Sequence, residues 1–309
     1  MGSYLYFCGM SEEKKQEEFP VIDSLWNYSD PKETAEKFRA LIPAVKEAND
    51  SPYLGELLGQ LARTQSLQMN FVEAHVILDM AERVIAESAK PEEMTRAKVR
   101  YHLERGRTYN SSNEKLEAMA QFKFAYEIAE KDGLDSYAID ALHMLAIAEE
   151  GDAQMEWHLK ALAMAENSKD EKARKWLGPL YNNIGWTYHD IGQYDEAMEV
   201  FQKSLAWRQE QKDAKGTFIA HWTIGHNYRS LNDIDKALEI QMQLLSEINE
   251  GEADPDGHVY EEIGECLLIK EQTDEAKPYF QQAYDLLSQD KWIETNEQGR
   301  LERLKSLAK

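Results

Sequence analysis

The 309-residue chain carries 57 acidic against 35 basic residues, a formal charge of −22, and 42 % of its residues are hydrophobic. That apolar content is ample for a continuous core and excludes disorder throughout, while the charge repels nucleic-acid phosphates and anionic lipid headgroups, so neither nucleic acid nor a membrane is expected as a partner. Only 8 Pro and 16 Gly punctuate a sequence dominated by helix formers, which points to an all-α class.

In chain order, residues 1–28 show no strong period. The run Tyr4-Leu5-Tyr6-Phe7 is too short for a signal-peptide core and has no basic residue before it. The first ten or so residues are expected to be loose, and Phe19, Val21, Ile22, Leu25, Trp26 and Tyr28 to pack on the helices that follow. Ser29-Asp30-Pro31 opens a helix, with Asp30 as N-cap and Pro31 at the first helical position, and Pro43 is expected to end or kink it. No later stretch approaches the ~20 apolar residues of a membrane span. Cys8 and Cys266 stand alone, giving neither a disulfide framework nor a metal knuckle. A cytoplasmic protein without cofactor or metal is the expectation.

From about residue 50 the chain repeats itself. The clearest copies are Tyr181-Asn-Asn-Ile-Gly-Trp-Thr-Tyr188, His221-Trp-Thr-Ile-Gly-His-Asn-Tyr228 and Tyr260-Glu-Glu-Ile-Gly-Glu-Cys-Leu267. The anchors Gly106, Ala146, Gly185, Gly225 and Gly264 are spaced 40, 39, 40 and 39 residues apart, and an irregularly spaced copy centres on Ala62. Twelve residues after an anchor stands Ala74, Ala118, Ala197, Ala237 or Ala276, and four further on Leu78, Phe122, Phe201 or Phe280. Gln241 stands where that aromatic is usual, and the Ala146 copy has a compressed turn at Glu150-Gly151-Asp152. Beyond the last copy, Ile293, Leu301, Leu304 and Ala308 keep near-helical spacing, interrupted at Glu297 and Gly299.

This pattern resembles the tetratricopeptide repeat: an aromatic, Leu or Ile before Gly, Tyr three later, then Ala and Phe. The resemblance covers roughly residues 50–290, and the long period is similar to repeats of the kinesin-light-chain type. It implies an α-solenoid of about five to six antiparallel helix pairs, stacked because a lone pair cannot bury both faces. The expected organisation is an N-terminal segment over 1–28, a single helical solenoid over 29–290 and a C-terminal capping helix over 291–309.

On a 3.6-residue wheel, anchor offsets −4, −1, 0 and +3 form the core stripe of each first helix, and offsets −3, +1 and +4 a second stripe. In tetratricopeptide proteins the second stripe lines the concave groove. Here it holds Arg63; Arg107 and Asn110; His143; Asn182, Trp186 and His189; Trp222, His226 and Arg229; and Glu261 and Glu265. An idle face of so acidic a protein should be rich in Glu and Asp, whereas the middle of this one offers contact area and directional hydrogen bonding. Trp186 and Trp222 have a second reading, as packing between successive first helices.

The resemblance therefore implies a scaffold or adaptor that holds a protein or peptide segment in its groove, with no catalysis. The groove changes sign along its length, from Arg63 and Arg107 at one end to Glu261, Glu262 and Glu265 at the other, which would orient a ligand whose acidic group faces Arg107 or Arg229 and whose basic group faces Glu261 and Glu265. The stripe has no lysine, unlike carboxylate-clamp repeats that bind chaperones. A homodimer, where one forms, is expected through the terminal helices. Two other readings stay open. One is a peptide-sensing regulator resembling bacterial pheromone receptors without their DNA-binding domain. The other, less supported, is a metal-dependent hydrolase using His143, His189 and His226, whose helices would stand ~10 Å apart.

Overall fold

The repeated anchors mark paired helices in the computed structural model, which describes residues 19–309. The looseness expected of the first ten residues, and Cys8, fall outside that range. The helices are α1 (Pro31–Glu47), α2 (Ser51–Leu67), α3 (Phe71–Ala86), α4 (Thr95–Ser111), α5 (Lys115–Lys131), α6 (Asp135–Ala148), α7 (Gly151–Asn167) and the short α8 (Glu171–Arg174). Then come α9 (Leu177–Asp190), α10 (Tyr194–Glu210), α11 (Ala214–Ser230), α12 (Ile234–Asn249), α13 (Gly257–Ile269), α14 (Thr273–Leu287), α15 (Lys291–Asn296) and α16 (Gln298–Leu307). Short 3-10 turns cover Ile22–Leu25 and Pro91–Met94, and no strand occurs among the described residues.

Backbone contacts divide the chain into two units, one up to Tyr137 and one spanning Ala138–Lys309. In the first, α1 packs on α2, α2 on both α3 and α4, and α4 on α5. In the second, contacts run from α7 to α9 and then pair by pair through α10, α11, α12, α13 and α14 to α16. Each unit is thus all-α, with helix pairs in the repeated packing of a solenoid.

The crossing within a pair explains the anchor. A methyl on Gly106 would stand 2.5 Å from the Phe122 ring, and one on Gly264 2.8 Å from Phe280; on Gly185 it would be closer still to Phe201. All three rings are fully buried, as are the alanines at offset +12. Small against large is how such helices approach at interior density. In the fifth copy Gln241 replaces the aromatic, is wholly buried and donates its amide to the Trp222 carbonyl at 3.1 Å. In the third, His158 takes the alanine position, and burial, with the neighbouring His143, pushes its imidazole pKa down to about 4.

A second regularity lies in the turns. Met69, Asn113, Gly192, Asn232 and Glu271 all adopt positive φ, and each stands seven residues after its anchor, where the chain leaves the first helix. Two of these are Met and Glu, residue types that seldom enter the left-handed region, so the hairpin geometry imposes the conformation. The Ala146 copy instead turns at Gly151, five residues on, which is the compressed turn seen in the sequence.

Of the two outcomes expected at Pro43, ending the helix is overturned, and the C-terminal helix is corrected. Pro43 does not end α1, which continues to Glu47. Pro43 and Arg39 are both exposed, so the carbonyl that loses its donor reaches water. The segment 291–309 is not one helix: Glu297, at φ −124 and ψ 37, separates α15 from α16, which bury Ile293 and then Leu301 and Leu304. Asp30 caps α1 as expected, accepting from the Glu33 amide at 2.9 Å. Ile22 is buried, with Phe19, Leu25 and Trp26 packed beside it, whereas Val21 and Tyr28 are exposed.

Candidate functional site

Every predicted site residue is half-buried, on the first helix of its pair. The first unit carries Arg63 on α2 and Arg107 and Asn110 on α4; the second carries His143 on α6 and the rest on α9, α11 and α13.

In the first unit the two arginines converge on Glu104, which is buried. Arg107 Nη1 donates to Oε1 at 2.8 Å, Arg63 lies 3.5 Å from Oε2, and Gln60 Nε2 donates to Oε1 at 3.0 Å. Asn110 lies one turn beyond, near the end of α4.

In the second unit the rings of three successive first helices form a ladder. Trp186 stands 5.0 Å from His189, 5.3 Å from His226 and 6.1 Å from Trp222, and Trp222 stands 5.4 Å from His226 and 5.7 Å from His258. Both tryptophans also pack against apolar clusters, so the packing role and the exposed role coexist. His189 Nε2 is 2.8 Å from Ser230 Oγ, which ties α9 to α11. Asn182 sits one turn before Trp186 on α9. His143 keeps other company, 3.3 Å from the Asn183 amide and 5.2 Å from the Trp176 ring.

Beside the ladder lies a depression of about 490 Å³ lined by Trp222, His226, Arg229, Glu261, Glu262, Glu265, Arg300 and Arg303. Its floor is a set of forked ion pairs. Arg229 donates through Nε and Nη2 to both oxygens of Glu262, each at 2.8 Å, and His226 Nδ1 lies 2.9 Å from Glu262 Oε1. Burial would raise the Glu262 carboxyl, but these hydrogen bonds and the Arg229 charge outweigh it and hold the pKa at about 2. Arg300 forks onto Glu261 and donates to His258 Nδ1 at 2.9 Å, and Arg303 forks onto Glu265.

The charges of the expected gradient are paired within the chain. Arg229, Glu261 and Glu265 are each engaged within the chain, as Arg63 and Arg107 are with Glu104, so a ligand carboxylate reaching Arg229 must compete with Glu262 in a fork. What the ladder offers directly is ring surface. Among the described residues, no three His, Cys, Asp or Glu side chains are placed to hold a metal ion, and no helix is long and apolar enough to cross a membrane.

The wheel missed the organisers of both units. Glu104 and Glu262 stand at offset −2, as does Gln60, roughly opposite the core stripe. An isolated helix pair would leave that side in water, but in a stack the preceding first helix faces Glu104 and Glu262, from α2 and α11 respectively. A buried acid then needs the arginine or histidine that a neighbouring turn or helix provides. The signal was present as polar residues recurring at −2. Arg300 and Arg303 had no such signal, since they lie after the last copy.

Tetratricopeptide repeat family models match residues 176–246 and 257–287, which hold the three clearest copies. Outer dynein arm-docking complex subunit 4 of Xenopus laevis is 28 % identical over 141 residues, 46 % of this chain and 26 % of that protein. The chain spans 26 % and 35 % of the lengths of two curated relatives that it matches. Among solved structures, apo RapI is similar with a TM-score of 0.65 at 14 % identity, over 87 % of this chain and 76 % of that one. NprR, solved in complex with its cognate peptide NprX, gives 0.54 at 15 % identity, over 93 % and 80 %. At these identities the likeness shows the fold. By the family-model matches residues 176–246 and 257–287 are tetratricopeptide repeats, and the anchors, the Gly–Phe crossings and the +7 turns carry the same helix packing into the other copies.

Proposed function

We propose that the protein is a non-catalytic binding scaffold whose second unit holds a peptide segment of a partner protein against the Trp186–His226–Trp222 ladder. The observation that carries this reading is the ladder itself: two tryptophans and two histidines half-exposed on adjacent first helices, in a chain of strongly acidic composition. Trp with neighbouring Arg is the composition of energetic anchors at interfaces, and aromatic rings give contact area at low entropic cost. Forked ion pairs along the floor fix the rings before a ligand arrives, which lowers the cost of ordering. The likeness to NprR, which was solved with a peptide, supports an extended segment over a folded domain as the occupant. Because the charges of the floor are mutually satisfied, the ligand is selected by apolar and aromatic side chains, with charge contributing at the rim.

The test is a peptide library selected on the intact protein and counter-screened on the Trp186→Ala/Trp222→Ala variant. Selected peptides are expected to lose at least about ten-fold in affinity on the variant. Equal binding by both proteins would place the ligand elsewhere.

A further inference from the structure

The first unit has a differently furnished face. Residues 19–28 lead into α1, to which Asn27 is tied through Thr34 and Glu33, and run across α2 and α4, where they are held at three points spaced three residues apart. The Pro20 carbonyl accepts from Tyr53 Oη at 2.8 Å, Asp23 pairs with Arg100, and Trp26 Nε1 donates to Gln60 Oε1 at 2.8 Å. Between them Ile22 is buried, and Tyr28 stacks on Trp26 at 4.6 Å with an interplanar angle of 7°. Gln60 occupies offset −2, the register position that Glu262 fills at the depression of the second unit.

The charged and polar groups of the receiving face keep partners without the segment, while Ile22 and Trp26 also close an apolar cluster over the buried Phe38. Arg100 keeps Glu56 at 3.0 Å, Glu56 keeps Arg96 at 2.6 Å, and Gln60 keeps Glu104 at 3.0 Å. Removing Asp23 or Trp26 therefore strands no buried charge, and the hydrogen bonds that the segment makes are ones that a separate peptide could make equally well.

We propose that this face of α2 and α4 is a second peptide site, filled in cis by residues 19–28, and that an extended peptide bearing a carboxylate three residues before a tryptophan competes for it. The tether is short, since α1 begins just after Tyr28, so the cis segment acts at a millimolar or higher effective concentration and masks the site from weak ligands. The inference concerns the first unit alone and does not depend on the ladder of the second.

The probe is a fluorescein-labelled synthetic peptide of residues 19–28, titrated by fluorescence anisotropy into the full chain. The Asp23→Ala/Trp26→Ala protein is expected to bind it at least about ten-fold more tightly than the wild type, and a peptide carrying the same two substitutions is expected not to bind. Equal affinity for the two proteins, or no binding to the variant, overturns the proposal. Hydrogen exchange on the wild type gives an independent reading should the variant be unstable. Amides of residues 22–28 should exchange well before those of α2 and α4, and exchange in step with those helices would make the segment an integral part of the core and overturn the proposal.

Discussion

The two units place a buried acid at the same register position but cover the face it organises differently. In the first, Glu104 at offset −2 gathers Arg63, Arg107 and Gln60, and residues 19–28 lie across Gln60. In the second, Glu262 at the same offset gathers Arg229 and His226, and the neighbouring tryptophans stay half-exposed beside a depression. A buried acid thus organises the face in both, and what differs is what lies over it. The repeat supplies the frame, whereas binding character comes from non-repeating residues and from the segments flanking the repeats.

The comparison can be broken first at the shared frame. Phe122→Ala and Phe201→Ala each open a cavity at an equivalent crossing and should cost about 3–5 kcal/mol, read by urea unfolding. Markedly unequal losses would show that the two crossings are not equivalent.

The organising acids come next. Glu262→Gln keeps the shape but removes the charge that Arg229 and His226 address, with an expected cost of about 2–3 kcal/mol. The same carboxyl sets a pH dependence. Its folded pKa of about 2 lies below the unfolded value near 4.3. Its contribution is therefore complete above the unfolded value and is lost as pH falls from there through about 2. Acid unfolding of the wild type should steepen across that window, and the Glu262→Gln protein should lack that component. Identical acid profiles would remove Glu262 from its organising role.

The smallest expected difference concerns helix starts. Asp50 accepts from the Tyr53 amide at 3.0 Å in the first unit and Asp213 from the Gly216 amide at 2.9 Å in the second. Alanine at either should cost about 1 kcal/mol, measured by thermal unfolding. Asp213 also lies 3.5 Å from Arg208, so its loss should be slightly the larger.

Most of the frame was legible because it rests on local repetition: anchor glycines, the +12 alanines and the +16 aromatics each answer to one packing contact. The stripe was legible as residue types and less so as chemistry. A wheel drawn for one helix places Arg229 in water, while the stacked neighbour brings Glu262 against it. Pro43 does not end α1, because the carbonyl it frees, at the exposed Arg39, can turn to water. Arg300 and Arg303 lie beyond the last copy, where the repeat gives no register, and the hold of residues 19–28 on α2 and α4 includes bonds between positions 34 and 77 residues apart.

The central claim is that ligand contacts the ring ladder of the second unit. It is tested most directly by the indole N–H resonances of Trp186 and Trp222, assigned by single Trp→Phe variants, as a library-selected peptide is added. Both are expected to shift and to saturate together at the binding midpoint. Peptide binding that leaves both indoles unmoved, with shifts elsewhere in the chain, would contradict it.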